Sequence, residues 1–523
     1  MASLVSIDPG AQESTQGGAE LRGAGARRRL QGLLPSVWLW PSLLTLVLML
    51  FGIGGPQLWW DELTTWQLAT RSTAQLWGAM QNVDAVHGTY YLIMHGWIAL
   101  FGDAAWVMRL PSALAMVGTT VCVALIGRRL FSHRAGLAAG VVFALLPSVT
   151  RFGQEARSYA LVAFVVALAT WLLLQALDGQ RRWGWWSGYA VCLGAIGMLH
   201  LVALTIVVGH ALAVLMRARS ERQSARRLGV GFGLAALIGL SCVVPLVSLG
   251  MKQAERQIAW LPAPGVGDLF MVWQSVFKSA LLPGVLAVLA VVAVWVWPRS
   301  RDAVVFCSSL VVLPTLVVWE VSQDGMSYFD ARYFVFTLPA WALLAGAAIA
   351  GIRYRVVLPL ALVMLAFLAV HDQRGVRGDY AHQWVAYPAE DFGPRMDYKG
   401  AARIIRDGYR SGDAVVYDRP GCHYTRCDLG VTFYLPRDLK LRDVFLGLPA
   451  TERNDLTPAD CPAPAACLGA EPRIWLVAAW NPQDPIKQLP AAQAQALREH
   501  YVVTRAERVS GLTVALLQHT AQR

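Results

Sequence analysis

The stretch LWWDELTTWQLAT, from Leu58 to Thr70, sets Asp61 and Glu62 side by side after a tryptophan pair, just beyond the first long apolar run. Such a pair can be structural: Asp61 can serve as N-cap for the amphipathic stretch Glu62–Ala69, with Glu62 in the first turn facing the positive end of the helix dipole. It can also be chemical. Neighbours on a helix point about 100° apart, so one carboxylate can act as a base while the other orients a group. A base needs partners, and cations supply them. Arg109 opens MRLPSALA, Arg151 and Arg157 flank the loop in RFGQEARSYAL, and Arg332 lies in YFDARYFVFTLP, with Tyr159 and Tyr333 as adjoining candidates for substrate contact. Arginines at helix ends commonly snorkel to the interface. Guanidinium forks also match phosphate oxygens, so a membrane-bound phosphate ester is the natural ligand for such a cluster. A base that deprotonates a hydroxyl, with cations that hold a departing phosphate, describes group transfer from a lipid phosphate. Phosphate is a weak base, so its departure needs charge stabilisation and no general acid.

The elements that must position these residues are membrane-type helices. Of 523 residues, 56% are hydrophobic and only 15% charged, which excludes an ordinary soluble protein. Apolar runs of roughly 16 to 22 residues recur from Leu34 to Val370, the length that crosses a bilayer as a helix. The expected spans are 34–54, 107–127, 135–150, 158–177, 184–200, 202–216, 229–249, 280–297, 303–321, 333–352 and 356–370. Five basic loops set this choice: Arg128/Arg129/Arg134, Arg181/Arg182, the run RARSERQSARR from Arg217, Arg299/Arg301 and Arg353/Arg355. All five fall on the cytoplasmic side when eleven helices span, starting inside and ending outside. The net charge of +11 is thus spread over short loops, and nucleic-acid binding is not indicated.

That parity leaves HGTYYLIMHGWIALFG, His87 to Gly102, as a helix in or dipping into the outer interface; the rival is a twelfth span with one basic loop misplaced. Residues 55–106 then form a long outer loop. Residues 1–33, polar and Gly-rich, read as a disordered cytoplasmic tail without a cleavable signal peptide. Residues 34–370 form the transmembrane domain, and residues 371–523 a small extracytoplasmic α/β domain. In this tail DYKGAARIIRDGYRSGDAVVYD reads as helix, turn and strand. RIWLVAAW is a strand, ALREHYVVTRAERV a helix leading into a strand, and LTVALLQ a final strand. The tail can bind an acceptor, cover the active site or act as a passive cap; no phosphate-binding glycine motif supports a nucleotide.

Cys122, Cys192, Cys242 and Cys307 lie in apolar runs and act there as small hydrophobes. Cys422, Cys427, Cys461 and Cys467 form an even set in the tail, consistent with two disulfides in any of three connectivities; no CxxC spacing supports zinc. His87 and His95, with Asp84 nearby, are a rival metal set. Their eight-residue separation spans two helical turns, too far for one ion on a straight helix, so polar contact to a head group or sugar hydroxyl fits His87 better. No cofactor is implied. His200 and His210 are expected to be satisfied core residues.

The succession WWDE, HGTYYLIMHGWIALFG, RLPSALA, GRRLFSHRAGLAAGVVFALLPSVTRFGQEARSYAL and FDARYFVFTLPA resembles the GT-C superfamily of membrane glycosyltransferases. It is most similar to the family 39 branch, which includes protein O-mannosyltransferases and the aminoarabinose transferases of lipid A. The likeness covers about Leu34 to Ala340 and is specific in the order and spacing of its motifs. It implies a polyprenyl-phosphate sugar donor such as a mannose carrier, inverting transfer to a protein, glycan or lipid acceptor, and a bacterial cytoplasmic membrane location. It places Asp61 as base and Glu62 on the acceptor side. Arg109, Arg157 and Arg332 match the basic positions near the donor phosphate. The family usually shows His-Pro-Pro where this chain has His87, Gly88 and Thr89, so the local backbone is less rigid here. A transporter or lipid flippase is the rival from another class. Against it, most charges lie at span ends, and the two halves do not resemble each other.

Overall fold

The computed structural model describes residues 37–178, 182–354, 356–379, 384–385, 396–480 and 482–520. The expected tail 1–33 and the basic-loop residues Arg181 and Arg355 lie outside these. Six helices among the described residues are long and apolar enough to cross a membrane, and nine if each of three bent pairs counts as one span. Each of these nine overlaps one of the eleven expected spans, although the expected span 280–297 meets only the second helix of a pair bent by 107°. The other two are helical but fall short. Leu39–Leu50 has only 12 residues, and Arg182–Leu199 begins with the Trp- and Gly-rich segment RWGWWSG. Many helices carry apolar side chains outward: Leu360, Val363 and Phe367 on Val357–Gly375 are all exposed, as lipid-facing residues are. That helix runs to Gly375, five residues beyond its expected end. Where helices meet, small residues let the backbones approach: a Cβ on Gly127 would lie 2.8 Å from Cα of Gly136.

After the first apolar helix, the segment 55–104 folds as three α-helices and a short 3-10 turn. Helix α1 (Leu39–Leu50) leads into α2 (Trp60–Ala69), which carries the carboxylate pair, then α3 (Thr73–Asn82) and α4 (Gly88–Phe101). Ser72 and Gln75 close a capping box on α3, with side chain and backbone bonded reciprocally at 3.3 and 3.2 Å. Helix α4 has 14 residues, about 21 Å, too short to span a hydrocarbon core near 30 Å. It is followed by α5 (Ala105–Leu130), which contains Pro111. Proline has no N–H for the carbonyl four residues back, which is that of Val107. Trp97 fills the vacancy: its indole Nε1–H donates to the Val107 carbonyl at 2.9 Å and so pins α4 against α5.

Pro147 acts similarly as a punctuation mark. It starts the short helix Pro147–Gly153 after a 63° bend from His133–Leu145, and this turn delivers Arg151 and the loop 154–158.

The tail follows the expected order. Helix Tyr398–Gly408 leads to β1 (Ala414–Tyr417), and β2 (Arg442–Asp443) and the pair β3 (Leu446–Leu448) with β4 (Ala459–Asp460) come next. β5 (Arg473–Ala479), β6 (Tyr501–Val509) and β7 (Leu512–His519) complete it. The main sheet has the order β2-β1-β5-β7-β6, with β1 parallel to β2 and β5, and β7 antiparallel to β5 and β6. Disulfides join Cys422 to Cys427 and Cys461 to Cys467, resolving the three connectivities.

This domain grips α2 at both ends. Leu58 N–H donates to the Tyr434 hydroxyl at 2.7 Å, and Gln57 exchanges bonds with Asp397 (3.1 Å) and the Lys399 amide (2.8 Å). Arg71 donates to the Asp455 carbonyl at 2.6 Å on the far side.

Candidate active site

Helix α2 begins two residues earlier than an Asp61 cap requires. Trp59, extended at φ −95° and ψ 171°, occupies the cap position without a side-chain capping bond, and both carboxylates sit within the first turn. The capping role expected for Asp61 is therefore replaced by a favourable place near the helix N-terminus.

The pair diverges as helix geometry demands. Glu62 turns inward and is 1% exposed. Its Oε1 accepts from Arg109 Nε at 2.8 Å and from the Ala156 amide at 2.9 Å, and its Oε2 accepts from Arg109 Nη2 at 2.7 Å. Arg109 completes its five donors with the carbonyls of Ile53 (2.8 Å), Pro56 (3.1 Å) and Gln57 (3.3 Å). This fork thus locks the start of α2 to α5 and to the segment that precedes it. Thr65 strengthens the lock, donating to the Ala156 carbonyl at 3.0 Å. Arg151 also turns away from Asp61: it bonds Glu155 at 3.1 Å and stacks over the Trp59 ring at 5.3 Å.

Asp61 faces the other way, with its side chain 21% exposed. Its Oδ2 lies 3.1 Å from Arg332 Nη1 and 3.7 Å from Arg157 Nε. Three segments far apart in sequence thus meet at one carboxylate oxygen. Arg157 donates to the Tyr91 hydroxyl at 3.0 Å, and Tyr91 in turn donates to Asp84. Asp84 adopts left-handed backbone (φ 57°), which aspartate tolerates better than most residues, and opens the turn that carries His87. Gln253 holds this turn from the helix Val244–Ile258, accepting from the Ala85 amide at 2.9 Å and donating to the Met80 carbonyl at 3.0 Å. Arg332 lies over the rings of Tyr333 (5.8 Å) and Trp260 (5.9 Å). The His200 ring packs at 4.8 Å from Tyr333, 5.7 Å from Tyr159 and 6.4 Å from His87.

Burial, with the nearby Arg157 charge, holds His87 well below the usual histidine range, so its ring is neutral at pH 7. Burial pushes the Asp84 carboxyl upward against the pull of Arg157 and the Tyr91 hydrogen bond.

Of the residues expected from sequence, Asp61, His87, Arg157, Tyr159, Arg332 and Tyr333 gather around one centre. Glu62, Arg109 and Arg151 lie in the buried scaffold behind it. Tyr91, Asp84, Trp260 and His200 join the centre without having been expected there. His210 is a core residue as expected, bonded to Thr170 and Tyr189 at 3.0 Å each, whereas His200 belongs with the site rings. Signals existed for two of the four: Tyr91 follows His87 by four residues, one helical turn, and His200 ends an apolar run. His95 bonds the Ala69 carbonyl at 2.9 Å and anchors α4 to α2.

A family model described as dolichyl-phosphate-mannose-protein mannosyltransferase matches residues 89–249, a segment that holds Arg109, Arg151, Arg157 and Tyr159. YkcB of Bacillus subtilis, which carries a mannosyltransferase name, is 29% identical over 158 residues, or 30% of this chain and 22% of YkcB. The chain therefore matches less than a quarter of that relative's length. Two solved structures of ArnT from Cupriavidus metallidurans share the fold. The apo form has a TM-score of 0.55 at 14% identity, and the form bound to undecaprenyl phosphate 0.56 at 15%. Each alignment covers 91% of this chain and 97% of ArnT. The likeness to GT-C membrane glycosyltransferases read from the motifs thus holds for both a sequence segment and the fold.

Proposed function

We propose that the chain is an inverting glycosyltransferase that moves mannose or a related sugar from a polyprenyl-phosphate donor to an acceptor hydroxyl. The reaction would take place at the outer face of a bacterial cytoplasmic membrane. The observation that carries this reading is the partly exposed Asp61 carboxylate held between the guanidiniums of Arg157 and Arg332. The mannosyltransferase-family match and the ArnT fold, one form of which holds undecaprenyl phosphate, support it.

The charges dictate the sequence of events. Without donor, the two arginines pair with Asp61 and hold it in place. A donor phosphate offers the same guanidiniums a bidentate partner and draws them from Asp61. The carboxylate is then free to take the proton of an acceptor hydroxyl. The acceptor oxygen forms a bond to the anomeric carbon as the bond to phosphate breaks, and the departing electron pair stays on phosphate between Arg157 and Arg332. Glu62 and Arg109 act as positioning residues, fixing the first turn of α2 from which Asp61 projects. His87, neutral and beside Tyr91, fits contact with sugar hydroxyls. The tail domain, tied to both ends of α2, covers the outer side.

Two results are expected. Arg332→Ala should weaken binding of polyprenyl phosphate by about ten- to a hundredfold, since a charge-assisted hydrogen bond contributes about 1.5–3 kcal/mol. Arg332→Lys should recover part of this, restoring charge without the fork. Equilibrium binding of radiolabelled polyprenyl phosphate to purified variants reads both, and normal binding by both would reduce Arg332 to an interface anchor.

The topology gives the second expectation. In a Cys242→Ser background, Lys440→Cys in the tail should react with an impermeant thiol reagent applied outside. Leu100→Cys on α4 should react only from outside or not at all, and Arg222→Cys only after the membrane is opened. Reaction of Arg222→Cys from outside in intact cells would invert the orientation.

A further inference from the structure

A second cavity lies on the other side of α2, between that helix and the tail domain. Its volume is about 600 Å³, within the range of about 300–1,000 Å³ typical of small-ligand sites. Trp66 and Asp103 line it from the first outer segment; the tail contributes Tyr417 at the end of β1, Asp443 at the end of β2, and the last turn of helix Cys427–Tyr434.

The lining combines flat apolar surfaces with neutralised polar groups. Trp66 packs edge-on against Phe433 at 5.1 Å, and Phe433 against Tyr434 at 4.9 Å. Asp103 accepts from the Trp66 indole at 2.9 Å and is also bonded by Arg437, so the cation at the wall is already matched. The Tyr417 and Thr432 hydroxyls lie 3.3 Å apart. Asp443 Oδ2 accepts from Arg419, while its buried Oδ1 accepts no hydrogen bond among the described residues. Burial pushes the Asp443 pKa up to about 6 even with Arg419 beside it, as suits a carboxylate short of donors.

We propose that this cleft binds a neutral sugar ring, and that it holds a distal residue of a glycan acceptor. The second clause rests on the glycosyltransferase reading; the first does not. Aromatic walls suit the C–H faces of a pyranose, and the partly exposed Asp443 carboxylate and the paired hydroxyls suit its O–H groups. An anionic ligand would meet an acceptor oxygen and a spent cation, which disfavours phosphate. The placement suits an acceptor. Trp66 follows Asp61 by five residues on one helix, about 7.5 Å along the axis and about 140° around it. A chain seated in the cleft must therefore pass over the edge of α2 to bring another hydroxyl to Asp61.

The test is saturable binding of methyl glycosides of mannose, glucose, galactose and N-acetylglucosamine to the full chain in detergent, followed by saturation-transfer NMR without donor. At least one probe should bind wild type and Asp61→Asn equally. Thr432→Trp, an exposed position at the wall, should fill the cleft and weaken that binding at least tenfold with an unchanged melting temperature. Asp443→Ala should weaken it about tenfold through loss of a charged acceptor. With a glycan acceptor, Thr432→Trp should raise acceptor KM and leave kcat intact. If no probe binds, or Thr432→Trp binds like wild type, the cleft is not a sugar site. If sugar binds and Thr432→Trp abolishes it while no donor supports transfer, the cleft stands and the proposed reaction falls.

Discussion

Replacing Asp61 by asparagine is expected to lower sugar transfer by about 10²–10⁴-fold while the protein stays folded and still binds donor, because loss of a positioned general base costs about that much. Asparagine keeps the shape and one hydrogen-bond acceptor but takes no proton at neutral pH. Its charge is missed in another way. Arg157 and Arg332 lose their shared counterion, Oδ2 at 3.7 and 3.1 Å, so the free enzyme should be mildly destabilised. Donor phosphate should restore the balance. Polyprenyl phosphate is therefore expected to bind Asp61→Asn at least as tightly as wild type and to raise its melting temperature by more. A purely structural Asp61 predicts the reverse: transfer near normal per folded molecule, with loss only in proportion to unfolding. Transfer rate, binding and melting measured on one preparation separate the two.

Glu62, one residue away, should behave oppositely. Breaking a fully buried pair by removing one partner costs about 3–5 kcal/mol, because a desolvated charge is left without its counterion. Glu62→Gln and Arg109→Met should each lower stability by that order, and the double variant should recover part of it. The recovery will be incomplete, since Arg109 also holds the carbonyls of Ile53, Pro56 and Gln57 and Glu62 accepts from Ala156. Denaturation midpoints of the four proteins form the cycle. Near-wild-type stability of Glu62→Gln, with transfer lost, would instead make Glu62 a reacting group.

That contrast marks how far the sequence could be read. The outward Asp61 and the convergence of Arg157, Arg332 and His87 follow from motif order and from loop charge, which fixes the segments meeting on one face. Which arginine takes which carboxylate does not follow. Arg109 is claimed by Glu62 and by three carbonyls whose approach depends on the path of residues 53–57, and no local pattern encodes that path. The three bends each precede a helix with proline at its first positions, Pro147, Pro245 and Pro283, yet the apolar runs around Pro147 and Pro245 read as continuous spans, because hydrophobicity alone does not show a change of direction. In the tail, β5, β6 and β7 are long enough to show their character. β2, β3 and β4, of two or three residues, carry no readable period. Yet β2 supplies Asp443 to the second cleft, and so that cleft was invisible from sequence.

The most direct measurement of the central claim uses purified protein in lipid vesicles with a panel of radiolabelled polyprenyl-phosphate sugars and a mixed envelope acceptor fraction. Release of free polyprenyl phosphate would be followed with time. The account predicts acceptor-dependent release from at least one donor, with inverted configuration in the product, falling about 10²–10⁴-fold in Asp61→Asn. Release at an unchanged rate by Asp61→Asn, or none from any polyprenyl-phosphate sugar by wild type, would contradict it.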